Sequence, residues 1–248
     1  MRVICLQASP RKRGSTATVV GWIAEELDAA GHEVEVIDMV TRSVRACMAC
    51  LACQRDPDEL LCAVQDDGGA ILATMAAADA LVYATPLYGW SFTGHLKPLL
   101  DRHLALVTGF SDPAAHRSHL AGKRAGLVVT CGGPVGEGNT DLIGEEFARL
   151  TRFLLTETVE PLMIGGLTGP GALTDEHREQ ARAFAREPRT DRSVVFLAVT
   201  AEEKGLLGSE YYAQNPLFPA AKTAGVINTD GGAIYGPARN FTISGNAK

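Results

Sequence analysis

The sequence predicts an α/β protein built on a doubly wound, five-stranded parallel sheet, with a shorter α/β segment of different character behind it. Two observations carry this. Over residues 1–187, five short apolar runs alternate with five amphipathic stretches, the pattern of successive βαβ units with right-handed crossovers. From residue 188 onward the alternation stops and an unrelated pattern begins.

Arg2–Gln7 reads as the first strand. Ser15–Ala30 follows as a helix, with Val20, Ile23, Leu27 and Ala30 at three- and four-residue spacing and Gly31 placed as its C-cap. Glu33–Ile37 is the second strand. Asp66–Ala78 is a helix with Ile71, Leu72, Met75 and Ala78 on one face. Ala80–Thr85, almost wholly apolar, is the third strand, as expected for one covered on both faces. Gly94–His103 is helical, with Pro98 bending it or marking its first turn. Ala125–Thr130 is the fourth strand. Asn139–Thr156 is a helix with Leu142, Phe147, Leu150 and Leu154 as apolar positions, and Val159–Ile164 is the fifth strand. Thr174–Arg186 closes the unit as a helix, N-capped by Thr174, with Asp175 and Glu176 in its first turn. Glu187-Pro188 stops it, because a residue before proline avoids the α region. The expected division is therefore 1–187 and 188–248.

Composition narrows the function classes. Of 248 residues, 46% are hydrophobic and 21% charged, as in ordinary globular proteins. A net charge of −6 argues against non-specific nucleic-acid binding. Arg11-Lys12-Arg13 is short and suits a small anion. The apolar start is too short for a secretory signal, and no run reaches membrane-spanning length. Six cysteines, four of them within residues 47–62, do not resemble a secreted disulfide framework. A cytoplasmic protein with reduced thiols, and neither nucleic acid nor membrane as partner, is expected.

Two loops carry the candidate chemistry. Gln7 through Thr16 joins the first strand to the first helix, at the sheet edge where open α/β folds bind ligands. A phosphate there would take the free N–H groups of the helix start, with hydroxyls from Ser9, Ser15 and Thr16 and charge from Arg11 or Lys12. A plain loop with Ser15 as N-cap is the alternative. The loop is neither a Walker A sequence nor a Gly-x-Gly-x-x-Gly fingerprint. Thr85 through Lys97 follows the third strand at the same edge. Its proline, glycines and two exposed-looking aromatics, Tyr88 and Trp90, fit a flat ring system.

Taken together, Ser9 through Thr16, the Cys47–Cys62 segment ending at Asp66-Asp67, and Thr85 through Lys97 with Asp101-Arg102 resemble the NAD(P)H-dependent FMN reductases of flavodoxin-like fold, the iron–sulfur flavoprotein branch most of all. The resemblance runs over residues 1–187. It implies that Ser9, Arg11, Ser15 and Thr16 hold the FMN phosphate. It implies that Thr85, Pro86, Leu87, Tyr88 and Gly89 line the isoalloxazine, and that Thr130, Cys131, Gly132 and Gly133 complete the pocket. The flavin would then carry the redox chemistry, with no catalytic side chain beyond it. NAD(P)H would be the co-substrate, a quinone, flavin or similar small molecule the acceptor, and a homodimer the assembly.

Cys47, Cys50, Cys53 and Cys62 are compact enough to surround a 4Fe–4S cluster. Zinc fits the same count, and free thiols beside the flavin are the third alternative. The eight residues between Cys53 and Cys62 exceed the usual gap of the branch it resembles. Cys5, on a core strand, is expected to be buried and inert.

In the second segment, Val194–Thr200 reads as a buried strand ending at Glu202 and Glu203, with Asp230 further on. This resembles the centre of a co-catalytic di-zinc aminopeptidase. By that resemblance Glu202 is the general base, and Glu203 and Asp230 are zinc ligands. The upstream His-x-Asp segment and a histidine beyond His177 are missing. Two carboxylates fall short of a zinc site, so neither zinc nor peptidase activity is expected. The leading expectation is an FMN-dependent NAD(P)H oxidoreductase. An electron-transfer flavoprotein without nicotinamide turnover is the first alternative, and an inactive aminopeptidase relative is the second.

Overall fold

The computed structural model describes residues 1–186 apart from Pro57, Glu137 and Pro170. The strands are β1 (Arg2–Gln7), β2 (Glu33–Asp38), β3 (Ala80–Pro86), β4 (Val107–Thr108), β5 (Arg117–Ser118), β6 (Arg124–Thr130), β7 (Glu157–Thr158) and β8 (Leu162–Ile164). The helices are α1 (Ser15–Ala29), α2 (Asp67–Ala77), α3 (Lys97–Asp101), α4 (Asp141–Phe153) and α5 (Asp175–Arg186). The main sheet runs β2-β1-β3-β6, with β7 and β8 both on the outer edge of β6, and every pairing in it is parallel. This is the flavodoxin-like doubly wound order. Strands β4 and β5 form a separate antiparallel pair.

The sheet is covered on both faces, which explains why its central strands are apolar throughout. One core joins Ile4, Leu6, Tyr83, Leu127 and Val129 to Leu72 and Met75 of α2, Leu99 of α3 and Phe147 of α4. The other joins Val3, Cys5, Val82 and Val128 to Val20 and Ile23 of α1 and Ala181 of α5. Gly31 closes helix α1 as the sequence predicts: it adopts φ +80° and donates to Asp28, while His32 donates to Leu27, a Schellman cap. Helix α5 belongs to this fold through Phe184. A side chain at Gly126 would put its Cβ 2.5 Å from the Phe184 ring, so glycine in mid-strand lets α5 lie flat on β6. Arg186 and Arg178 add surface ion pairs to Glu26 and Glu25 of α1.

Four expectations need correction. The fifth strand is broken: Val159 donates to Ala125, Pro161 has no N–H to give, and pairing resumes at Leu162 against Val128. The helix expected over Gly94–His103 starts only at Lys97, with Pro98 in its first turn, and passes at Arg102 into a 3₁₀ turn ending at Leu106. Leu142 is 60% exposed, because α4 begins at Asp141 and turns Ile143 and Phe147 inward instead. Ala30 lies past the end of α1 and is exposed.

Candidate cofactor site

Gln7, Pro86, Thr130 and Ile164 end their strands at one edge of the sheet. The loops leaving those ends form one pocket. From the first loop it takes Ser9, Arg11, Gly14, Ser15 and Thr16; from the second Pro86, Leu87 and Tyr88; from the third Thr130, Cys131 and Gly132; and from the loop after β8, Leu167.

Gly14, not Ser15, occupies the N-cap of α1, and it brings no side chain to cap the helix. The N–H groups of the first turn therefore stay open to an anion, on the positive end of the helix dipole. Ahead of them the chain turns tightly: Gly14 donates to the Arg11 carbonyl at 2.9 Å, and Arg11 N–H donates to Ser9 Oγ at 3.2 Å. Ser9 N–H is held by the Gln7 side chain. Thr16 is 2% exposed, and its hydroxyl lies 2.7 Å from that of Thr130. One of the two donates to the other, and the acceptor keeps its own proton for a ligand. That contact joins the phosphate loop to the third wall, and the Leu87 N–H bonded to the Thr130 carbonyl joins the second.

Thr85, Gly89 and Gly133 stand behind the lining rather than in it. Thr85 is fully buried; its hydroxyl accepts the Thr93 N–H and donates to the Pro86 carbonyl, which shapes the loop. Gly89 sits at the tip of a two-residue hairpin closed by Tyr88 and Ser91. Gly133 packs under Asn139. Cys131 is in contact with the pocket, and burial pushes its thiol up, partly offset by bonds with Asn139 and Gly133. Gly14 and Leu167 are lining residues the sequence did not single out. Leu167 was signalled only by lying just past the last strand, where the sheet edge binds ligands.

The four clustered cysteines line a second pocket, floored by Arg102. Ala49 and Leu51 take left-handed conformations at φ 52° and 54° and curl the segment that carries them. Gln54 fastens it by donating to the carbonyls of Leu104 and Val107 at 2.9 and 2.8 Å. Arg102 is 1% exposed and pairs at 2.6 Å with Asp66, itself 4% exposed. Burial alone would raise the Asp66 carboxyl; the Arg102 guanidinium, with N–H groups of Arg45 and Gly68, holds it below the ordinary range. Gly68 is glycine because a Cβ there would sit 2.3 Å from Arg102 Nη1. The cysteines share a pocket, yet among the described residues no three His, Cys, Asp or Glu converge to hold a metal ion. Cys5 is fully buried, and its thiol is pushed up to about 12 by that burial. Glu202, Glu203, Asp230 and the strand expected over Val194–Thr200 lie outside the described residues.

Sheet order and edge pocket define a flavodoxin-like protein. The sequence pattern of one family, NADPH-dependent FMN reductase, matches residues 1–142, and the chain belongs to that family. Peptidase family M28 matches residues 177–248. An iron-sulfur flavoprotein of Archaeoglobus fulgidus is 36% identical over 102 residues, 41% of this chain and 48% of that protein. An FMN-dependent NADH:quinone oxidoreductase of Methylobacterium radiotolerans is 32% identical over 129 residues, 50% of this chain and 61% of that protein. The chain spans about half the length of the curated relatives it matches. Among solved structures, NAD(P)H:quinone oxidoreductase from Methanothermobacter marburgensis aligns with TM-score 0.55 and 21% identity, over 75% of this chain and 96% of that one. That likeness is one of fold. No described helix is long and apolar enough to cross a membrane.

Proposed function

We propose that the chain is an FMN-dependent NAD(P)H oxidoreductase that reduces a quinone, a flavin or a similar small acceptor. The observation that carries this is the single pocket that gathers an uncapped helix start, buried hydroxyls and an exposed tyrosine at the carboxyl edge of the sheet. Membership of the FMN reductase family and the quinone oxidoreductase names of relatives support it.

The first-turn amides of α1, with Ser9, Arg11, Ser15 and Thr16, hold the phosphate. The side chain of Arg11 has no partner of its own among the described residues and is available to the anion. Pro86, Leu87 and Tyr88 border the ring on one side, with Thr85 and Gly89 setting their loop, and Thr130, Cys131 and Gly132, backed by Gly133, border the other. FMN, when bound, supplies reversible acceptance of a hydride. The chain needs no titrating acid or base at the ring; its task is to orient the ring and leave one face open to nicotinamide and acceptor in turn. Reconstitution with FMN, followed by NADH or NADPH oxidation with a quinone, tests this. Turnover that requires both FMN and quinone supports it; FMN uptake without nicotinamide oxidation defeats it.

A second reading, an electron-transfer flavoprotein, is favoured by the four cysteines around one pocket and by relatives named iron-sulfur flavoproteins. Iron and acid-labile sulfide, assayed on protein purified without oxygen, decide it. We further propose a homodimer in the cytoplasm and a boundary at 187/188. The contact of Phe184 with Gly126 supports a boundary after α5, although the peptidase match begins at residue 177.

A further inference from the structure

The hairpin at the pocket mouth has an unusual construction. Tyr88 and Ser91 exchange N–H to carbonyl bonds at 3.3 and 3.2 Å across only two residues, Gly89 and Trp90. Both of these are left-handed, at φ +57° and +61°. That suits the hairpin twist, yet it is a costly conformation for tryptophan. Burial does not repay the cost, since Tyr88 is 51% exposed and Trp90 57%. The chain past the hairpin is fixed by buried Phe92 and by Thr93, whose hydroxyl donates to the Ala8 carbonyl at 3.0 Å.

Among the described residues, one side-chain bond leaves the hairpin itself: Ser91 Oγ donates to Glu146 Oε2 at 2.7 Å. Glu146 is half-buried on α4, the helix that follows the Cys131–Gly132 wall. It therefore ties the mouth of the second loop to the element behind the third. A hydrogen bond to a carboxylate is shorter and stronger than a neutral one, so it is suited to hold a strained turn against solvent.

We propose that Glu146 is a positioning residue. Through Ser91 it fixes the Tyr88–Ser91 hairpin, so that Tyr88 borders the ring of the bound cofactor and Trp90 presents a flat apolar face to an aromatic acceptor. This rests on the FMN reading above. The carboxylate touches neither cofactor nor acceptor; its effect passes through one hydroxyl.

The test compares Glu146→Ala, Glu146→Gln, Ser91→Ala and the double alanine variant as full chains. Four quantities are read: FMN affinity by flavin fluorescence, KM and kcat with 1,4-benzoquinone, and amide hydrogen exchange over residues 88–91 without flavin, with thermal unfolding as the folding control. Glu146→Ala should speed exchange across the hairpin and raise the quinone KM or the FMN Kd about tenfold, with kcat moved less. Glu146→Gln keeps an acceptor oxygen and should recover most of the loss. Ser91→Ala should match Glu146→Ala, and the double variant should be no worse than either, as for two ends of one bond. Unchanged exchange and binding in Glu146→Ala, no recovery in Glu146→Gln, or additive losses would each overturn the proposal. Wild-type protein that takes up no FMN overturns the cofactor reading together with the role assigned here. Normal uptake by wild type, with FMN affinity, quinone KM and hairpin exchange unmoved in every variant, overturns the positioning role alone.

Discussion

The edge pocket takes its walls from four loops, each leaving the carboxyl end of a different strand, whereas the cysteine pocket takes most of its walls from one excursion between β2 and α2. The first is assembled by topology: once the strands pair, the loops must meet. Its cross-links, Thr16 to Thr130 and Leu87 to Thr130, are hydroxyl and backbone bonds that any one side chain contributes to only slightly. The second is assembled by a fastening: a guanidinium and a carboxylate, both nearly devoid of solvent contact, hold α2, the end of α3 and the cysteine segment together. The two sites should therefore fail differently. Substitution at the edge pocket should lower ligand affinity with stability kept, while substitution under the cysteines should lower stability.

The largest effect is expected at Arg102. Arg102→Ala leaves the Asp66 carboxylate buried without its partner, at a cost of about 3–5 kcal/mol in urea unfolding. A loss below about 1 kcal/mol would show that the pair is not the fastening described.

His103, the next residue, sharpens the same contrast. It is 1% exposed, with its Nε2 at 3.0 Å from the Tyr83 hydroxyl and its Nδ1 at 2.8 Å from the Leu99 carbonyl. The neutral tautomer with hydrogen on Nδ1 satisfies both. Burial pushes its pKa down to about 4, against a carbonyl contact that would raise it. The folded value lies below the unfolded one, so the unfolded chain binds the extra proton first. Stability from this group is complete above about pH 6.5 and falls as pH drops from there through 4, by roughly 3 kcal/mol. His103→Leu should flatten the unfolding free energy over that interval, and an unchanged slope would refute the assignment.

The smallest expected change in stability is at the edge pocket. Arg11→Ala should leave the unfolding midpoint nearly unmoved, since exposed loop positions cost within about 0.5 kcal/mol. The same substitution should weaken FMN binding about tenfold, the value of roughly one charge-assisted hydrogen bond. Equal FMN affinity in the two proteins would remove Arg11 from the phosphate site.

The same contrast explains what the sequence made legible. The phosphate loop and the Tyr88 loop are contiguous, and strand ends fix where contiguous loops go, so Ser9, Ser15, Thr16, Pro86 and Tyr88 could be placed without coordinates. The Arg102–Asp66 pair joins residues 36 apart that both stand in the motifs of the resemblance, but nothing local in either motif shows that they pair. Its one local sign is Gly68, whose missing side chain leaves room for the guanidinium. Ser91 and Glu146 are likewise 55 residues apart and unremarkable singly. The broken fifth strand did carry a local sign in Pro161, which the apolar run around it outweighed.

The central claim is that the edge pocket holds FMN and lets a nicotinamide reach it. Anaerobic mixing of FMN-loaded chain with NADPH and, separately, with NADH tests it most directly, followed by the visible absorbance of the flavin. The account predicts that at least one of the two bleaches the bound flavin in a single exponential phase whose rate saturates with nicotinamide concentration. Flavin that stays bound and oxidised with both would contradict it.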